Sequence, residues 1–406
     1  MRNLVPLFIA ASILLAGNGV FSTLIAVRGA QEGMSAAQIG WMGTTYFAGF
    51  LVGCMLVPRL LRSVGYIRVF AALAATAAGA TLLIALVVDP WFWMLARFVT
   101  GVCFSGLFSS IESWLNGSLK NANRGRVTAI YRVIDISAVA GGQYMIPIFG
   151  SEGFVIFCVM AMMISFSLVP VALGDRSKPK APPEVHFSLA ETWAISPVAF
   201  TGCVAIGLTN SAFRFVGPLY ATEVGLDLAD VATFISLGVV GGAVVQYPIG
   251  WLSDRYDRRL VLIGSTTGAI AAGLAITLIG ADVRWALYGG IFLFGAFSLP
   301  LYSLSVAHAN DRASGEQYVV LASGLLFAYG LGATAGPAVS SVLLAAFGPS
   351  SLFVFTCVVH GALVAATLAR MAARAAVPDE RRRPFRAILR TSPVMQRLAQ
   401  GRRTRR

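Results

Sequence analysis

Arg97, Glu112, Arg132, Asp135 and Arg214 are charged side chains set inside long apolar stretches, and that placement gives them chemical meaning. A charge at the centre of a bilayer costs about 2.5–3.5 kcal/mol on insertion scales. Side chains kept there at that cost bind ions, carry protons or fix a neighbouring helix. At a helical rise of ~1.5 Å per residue, Asp135 lies about 13 Å beyond Arg126, and Arg97 about 12 Å beyond Asp89 from the opposite side. The two sit on successive antiparallel runs, so the geometry allows an Arg97–Asp135 pair. It reads either as an ion pair fixing helix register or as cavity groups that bind substrate or exchange a proton. Arg132, three residues before Asp135, competes for the same carboxylate. Glu112, near the end of its run, reads as an inner-gate ion pair or as a coupling carboxylate. Arg214 lies about 13 Å from Glu223 and has no acid within a turn of its own helix. Three readings are open for it: an anionic-substrate site, snorkelling to the interface, or a pair with Asp135. Asn18, Tyr46, Gln143, Asn210 and Gln246 add neutral polar groups at depth, as substrate contacts or as interhelical hydrogen bonds.

The elements that hold these groups are membrane helices. Charged residues are 12% of the 406-residue chain and hydrophobic residues 57%, whereas soluble domains carry about 25% charged residues. Apolar runs fall at about 4–27, 39–58, 69–88, 92–115, 127–150 and 153–173, then at about 195–219, 231–252, 260–280, 285–308, 317–343 and 350–372, each long enough to span. The expected fold is therefore an all-α integral membrane protein of about twelve transmembrane helices in two six-helix bundles, residues 1–173 and 195–372. A linker, 174–194, and a basic tail, 373–406, complete the chain. Leu4 to Val27 is too long an apolar run for a cleaved signal and reads as the first span. Basic residues alternate between loops: Arg59, Arg62 and Arg68; Lys120, Arg124 and Arg126; Arg176, Lys178 and Lys180; Arg255, Arg258 and Arg259. The intervening loops hold only Arg28 and Arg284, which by the positive-inside rule places both termini in the cytoplasm. The net charge of +13 thus reports topology, and no nucleic-acid partner is expected.

The halves repeat. A shift of 192 positions lays Asn18 on Asn210, Phe21 on Phe213, Ile39 on Val231 and Gly65 on Asp257. The turn Gly250-Trp-Leu-Ser-Asp254-Arg255-Tyr-Asp257-Arg258-Arg259 packs five charges into six residues between two spans. Its pattern, Gly-x-x-x-Asp-Arg followed by a basic pair, resembles the loop between the second and third helices of each half of a major facilitator superfamily carrier. The first-half copy, Pro58-x-x-x-Arg62-Ser-Val-Gly65-Tyr-Ile-Arg68, keeps the turn glycine but has Arg62 in place of the aspartate. Arg97-x-x-x-Gly101-x-x-x-x-Gly106 is similar to the fourth-helix motif of proton-coupled members. Gly332-x-x-x-Gly336-Pro337 resembles the kink of the antiporters, and Glu112-Ser-Trp-Leu-Asn116 with Asn123-Arg-Gly-Arg126 looks like a bacterial branch.

The resemblance implies two pseudo-symmetric bundles rocking about a midplane site, in a bacterial cytoplasmic membrane. It implies a secondary carrier of a small organic molecule, with proton coupling through Asp135 and efflux favoured over uptake. Asp254 would accept from helix amides or an arginine, and Arg255, Arg258 and Arg259 would find carboxylates or helix C-termini. The alternatives are an uptake carrier of an anionic substrate and a transport-fold sensor without flux. A monomer is expected. Gly49-x-x-x-Gly53, Gly238-x-x-x-Gly242 and Gly264-x-x-x-Gly268 read as close-packing seams. No enzyme is expected: the three lysines follow no phosphate loop, the three histidines lack ligand spacing for a metal, and no cofactor is implied. The five cysteines read as small buried hydrophobes.

Overall fold

A computed structural model describes residues 4–117, 124–173, 188–280, 283–314, 317–375, 377–378 and 384–385. Its regular elements are sixteen helices. Those of the first half are α1 (Val5–Gln31), α2 (Ala36–Ser63), α3 (Tyr66–Leu86), α4 (Pro90–Gly117), α5 (Arg124–Gly142), α6 (Met145–Phe149), α7 (Val155–Phe166) and α8 (Leu168–Leu173). A short α9 (Leu189–Ile195) precedes the second half, formed by α10 (Pro197–Glu223), α11 (Leu228–Arg255), α12 (Arg258–Ile279), α13 (Arg284–Ser298), α14 (Leu301–Asn310), α15 (Gln317–Phe347) and α16 (Ser351–Ala373). Lys120 and residues 174–187 of the linker, with Arg176, Lys178 and Lys180, lie outside the described residues, as does most of the tail.

Eleven segments among the described residues are long and apolar enough to cross a membrane. The expected fifth span is the exception. It is broken into α5 and α6 at Gln143–Tyr144, and α5 carries Arg124, Arg126, Arg132 and Asp135. α5 packs against α1 and α11, with Val133 on its exposed side. The linker end also differs from a plain connection. Ser188 accepts from the Glu191 amide at 3.2 Å, which caps α9, and the Trp193 ring meets Phe200 edge-on with centroids 5.5 Å apart.

The halves meet where α1 contacts α10, α2 contacts α15, and α5 contacts α11. Under the 192-residue shift α1 falls on α10, α2 on α11 and α5 on α15. The α2/α15 and α11/α5 contacts are therefore the same interface made twice, as a parallel repeat requires. The seams repeat as well. A Cβ on Gly49 of α2 would run into the backbone carbonyl of Phe98 on α4, and one on Gly101 into that of Tyr46. Gly241, which is Gly49 shifted by 192, abuts the Phe292 carbonyl on α13 in the same way. Small residues here let backbones touch where any side chain would hold them apart. Gly264 is not part of a seam: a Cβ there meets nothing within 4 Å.

One hydrophobic core is shared by both halves at the end away from the basic loops. It joins Phe21, Leu24 and Ile39 to Phe213, Val216 and Val231. At the basic end the cores separate. One is built almost wholly from the first half, around Phe70, Phe104 and Leu107. The other is built from the second, around Leu262, Tyr302 and Leu325.

Candidate functional site

Between the halves lies a cavity of about 160 Å³. Asn18 and Asn210, the two repeat-related asparagines, both line it, along with Tyr46, Arg132, Asp135 and Arg214. The repeat thus delivers one polar group from each half to one place. Asn18 is committed: its Oδ1 accepts from the Tyr46 hydroxyl at 2.9 Å. Asn210 is 2% exposed, and its Nδ2 has no hydrogen-bond partner among the described residues. Phe47, Phe50, Phe213, Phe215 and Tyr329 supply an apolar wall.

Arg97 does not pair with Asp135. Its guanidinium is fully buried, and Nε, Nη1 and Nη2 all lack hydrogen-bond partners among the described residues. It sits in a box of aromatic rings, 4.7 Å from the Phe21 centroid, 4.4 Å from Tyr46 and 5.3 Å from Phe215. Tyr46 and Phe215 also line the cavity, so Arg97 stands directly behind its wall. Desolvated cation–π contacts are worth about 2 kcal/mol or more each. They offset part of the cost of a buried cation and leave its charge uncancelled.

Asp135 is held instead by Arg132, at 3.1 Å. Arg132 in turn donates to Gln246 Oε1 at 2.7 Å, and Gln246 Nε2 donates to Ser303 at 3.0 Å. This chain crosses from α5 to α11 and α14, so the carboxylate in the cavity is wired to the interface between halves. Gln246 acts as a support for Arg132. Gln143 is likewise interhelical: it accepts from Thr23 at 2.7 Å and donates to the Val139 carbonyl at 3.2 Å. Glu112 is fully buried in α4 and is not among the residues lining the cavity.

The charged turn at the basic end forms a second cluster. Arg258, 2% exposed, donates from Nε to Asp311 at 2.6 Å, from Nη1 to Ser253 at 2.9 Å and from Nη2 to Asp254 at 3.2 Å. Arg259 pairs with Asp257 at 2.8 Å and donates to the Arg374 carbonyl, past the end of α16, at 2.7 Å. Burial alone would raise the Asp257 carboxyl, but the Arg259 hydrogen bonds and charge outweigh it and hold the group below its ordinary value. Arg255 lies over the Trp251 ring at 3.8 Å. In the first-half copy, Gly65 takes φ 93°, a left-handed turn open to glycine, and Arg62 and Arg68 are exposed.

Asp254 has a partner of another kind. Its two carboxylate oxygens accept the Phe385 backbone amide at 2.8 and 3.0 Å. The Phe385 ring lies against Gly250, where a Cβ would sit 2.8 Å from Cγ of the ring. A piece of the tail is thereby docked on the turn, so Asp254 holds the arginine expected for it, Arg258, and a tail amide besides. An amide bonded to a carboxylate contributes about 1.5–3 kcal/mol. Asp254→Ala should therefore speed hydrogen exchange at the Phe385 amide by at least tenfold; unchanged exchange would mean that this contact does not hold the tail.

Comparison with known proteins agrees with this geometry. The profile of the Major Facilitator Superfamily matches residues 7–281 and 199–399. The chain belongs to the major facilitator superfamily. This facilitator is 26% identical over 372 residues to an uncharacterized MFS-type transporter of Yersinia pestis (strain Pestoides F), covering 91% of this chain and 94% of that one. It is 26% identical over 339 residues to the uncharacterized MFS-type transporter YcaD of Escherichia fergusonii, covering 82% and 87%. Among solved structures, the nucleoside transporter NupG superposes with TM-score 0.75 at 13% identity, over 92% of this chain and 99% of that one. A bacterial homolog of the human lysosomal transporter Spinster, inward-facing and occupied, gives TM-score 0.77 at 12% identity, over 94% and 97%. The facilitator is a multi-pass membrane transporter.

Three positions in these clusters escape a reading of the sequence. Phe21 and Phe215 complete the Arg97 box, and Asp311 is the buried partner of Arg258. Phe21 carries a signal, since the repeat lays it on Phe213 of the cavity wall. Asp311 carries none, because a lone acid in a short connection looks like any solvated loop charge.

Proposed function

We propose that this facilitator is a secondary carrier of a small organic molecule, working by alternating access and coupled to protons through Asp135. One observation carries the reading: a single cavity is lined by repeat-related groups of both halves, Asn18 and Asn210 among them. A site shared in this way changes its exposure when one half rocks against the other. The shared core away from the basic loops seals one end, while the basic end has a separate core in each half. With the basic loops in the cytoplasm, that arrangement is inward-facing, the conformation of the Spinster-homolog structure. In this reading both termini are cytoplasmic, the membrane is the bacterial inner membrane, the chain works as a monomer and efflux is the direction. Residues 1–173 and 195–372 are the rocking bodies, with 174–194 the linker and 373–406 the tail. The test is counterflow in proteoliposomes. A carrier exchanges labelled for unlabelled substrate across the bilayer without a gradient, whereas binding without exchange would assign a sensor.

A further inference from the structure

Resting on the carrier reading above, we propose that the cavity selects a small organic monoanion, with its carboxylate on Arg214 and Asn210 and its apolar body against Phe47, Phe50 and Phe213. The charge inventory of the cavity decides the sign. Among the described residues its only lining carboxylate is Asp135, and Asp135 is already held by Arg132 at 3.1 Å. That pair is close to neutral. Arg214 lines the same cavity from the middle of α10 and has no ion pair or hydrogen bond among the described residues. Arg97 adds a second uncancelled cation behind the Tyr46–Phe215 wall. Two guanidinium groups in a low-dielectric site repel each other and attract an anion to both. A cationic substrate would find no free counter-charge on this lining.

The hydrogen-bond inventory points the same way. Oδ1 of Asn18 already accepts from Tyr46, while Nδ2 of Asn210, a buried residue of the cavity lining, is a donor with no partner among the described residues. A surplus of donors suits an acceptor-only head, which a carboxylate is. The arginine fork also matches a carboxylate with two parallel bonds. Size and lining set the rest of the molecule. About 160 Å³ is below the ~300–1,000 Å³ of sites for drug-sized ligands, which suits a small molecule. With one directly facing free cation, one carboxylate is balanced and a second would be stranded.

The experiment compares benzoate, phenylacetate and hexanoate with their amides and the corresponding amines, on the full chain in lipid nanodiscs, by calorimetry and thermal stabilisation. At least one acid should bind about tenfold or more tighter than its amide and its amine. Arg214→Gln should bring that ratio near one, and Arg214→Lys should keep a preference for the acid. Amides or amines binding as well as the acids, no binding by any of the three acids, or a ratio untouched by Arg214→Gln would overturn the anion site. Counterflow with labelled benzoate, benzamide and benzylamine separates this from the carrier reading. Acids that bind without exchange defeat the carrier and leave the anion site standing; exchange of only a neutral or cationic probe does the reverse.

Discussion

Replacing Arg258 by glutamine is expected to destabilise the second half by about 3–5 kcal/mol, because it removes the cation bonded directly to a buried carboxylate. The Asp311 side chain is 2% exposed and takes Arg258 Nε at 2.6 Å. Glutamine is too short to restore that bond and carries no charge. Arg258→Lys should cost less than Arg258→Gln but more than a surface change, since an ammonium replaces one contact of a fork that also reaches Ser253 and Asp254. Removing both charges together, as Arg258→Met with Asp311→Leu, should recover most of the loss. Asp254→Ala is the contrasting case. Its pair with Arg258 is 3.2 Å long and the Asp254 side chain is 37% exposed, so solvent screens that pair and its loss is worth at most about 1 kcal/mol; the Phe385 amide bond lost with it releases the tail and not the buried turn. Unfolding midpoints of the four variants in nanodiscs measure the order. If Arg258→Gln melts with the parent protein, the pair does not hold the turn.

That order is only half visible in the sequence. Five charges in six residues mark a turn and a family, and alternation of basic loops marks a side of the membrane. Neither says which carboxylate is buried, because burial depends on how α14 lies against α12. Helices are legible for a related reason: hydropathy is summed along the chain, and each run of about twenty apolar residues stands on its own. The fifth span shows the limit. The break at Gln143–Tyr144 shortens this run, and two of the charges that interrupt its hydropathy, Arg132 and Asp135, line the cavity.

Depth is legible and direction is not. A rise of ~1.5 Å per residue places Arg97 and Asp135 near one level, which invites a pair. The azimuth of each side chain is set by packing. Close approach at Gly49 and Gly101 presses α2 onto α4, and Arg97 meets rings from α1, α2 and α10 instead of α5. Those rings come from sequence positions 21, 46 and 215, a separation no local pattern encodes. The asparagines stand out because symmetry supplies what locality lacks: a shift that matches helices also matches what they present to the axis between them. The docking of Phe385 on Gly250 has neither aid, since the tail has no repeat and its contact closes a long loop.

Changing Asp135 to asparagine is expected to abolish concentrative transport while leaving exchange intact. A pH difference of one unit is worth about 1.4 kcal/mol per proton, or about tenfold accumulation at one-to-one coupling. In Asp135→Asn vesicles that ratio should fall to about one, with counterflow within a few-fold of the parent. The physical basis is the chain that starts at this carboxylate. Ionised, Asp135 holds Arg132 at 3.1 Å, and Arg132 reaches Gln246 on the other half at 2.7 Å. On the proposed coupling, a proton on Asp135 would remove the charge that pairs with Arg132, and the bond between halves would loosen. Asparagine fixes that uncharged state, which permits rocking and ends its dependence on protons. Gln246→Leu should act on the same link from the far side, slowing or freeing exchange without ending the response to pH, because the titrating group is still present. Accumulation by Asp135→Asn equal to that of the parent protein would remove this carboxylate from coupling. A loss of counterflow along with accumulation would instead assign it to substrate binding, where its partner Arg132 already lines the cavity.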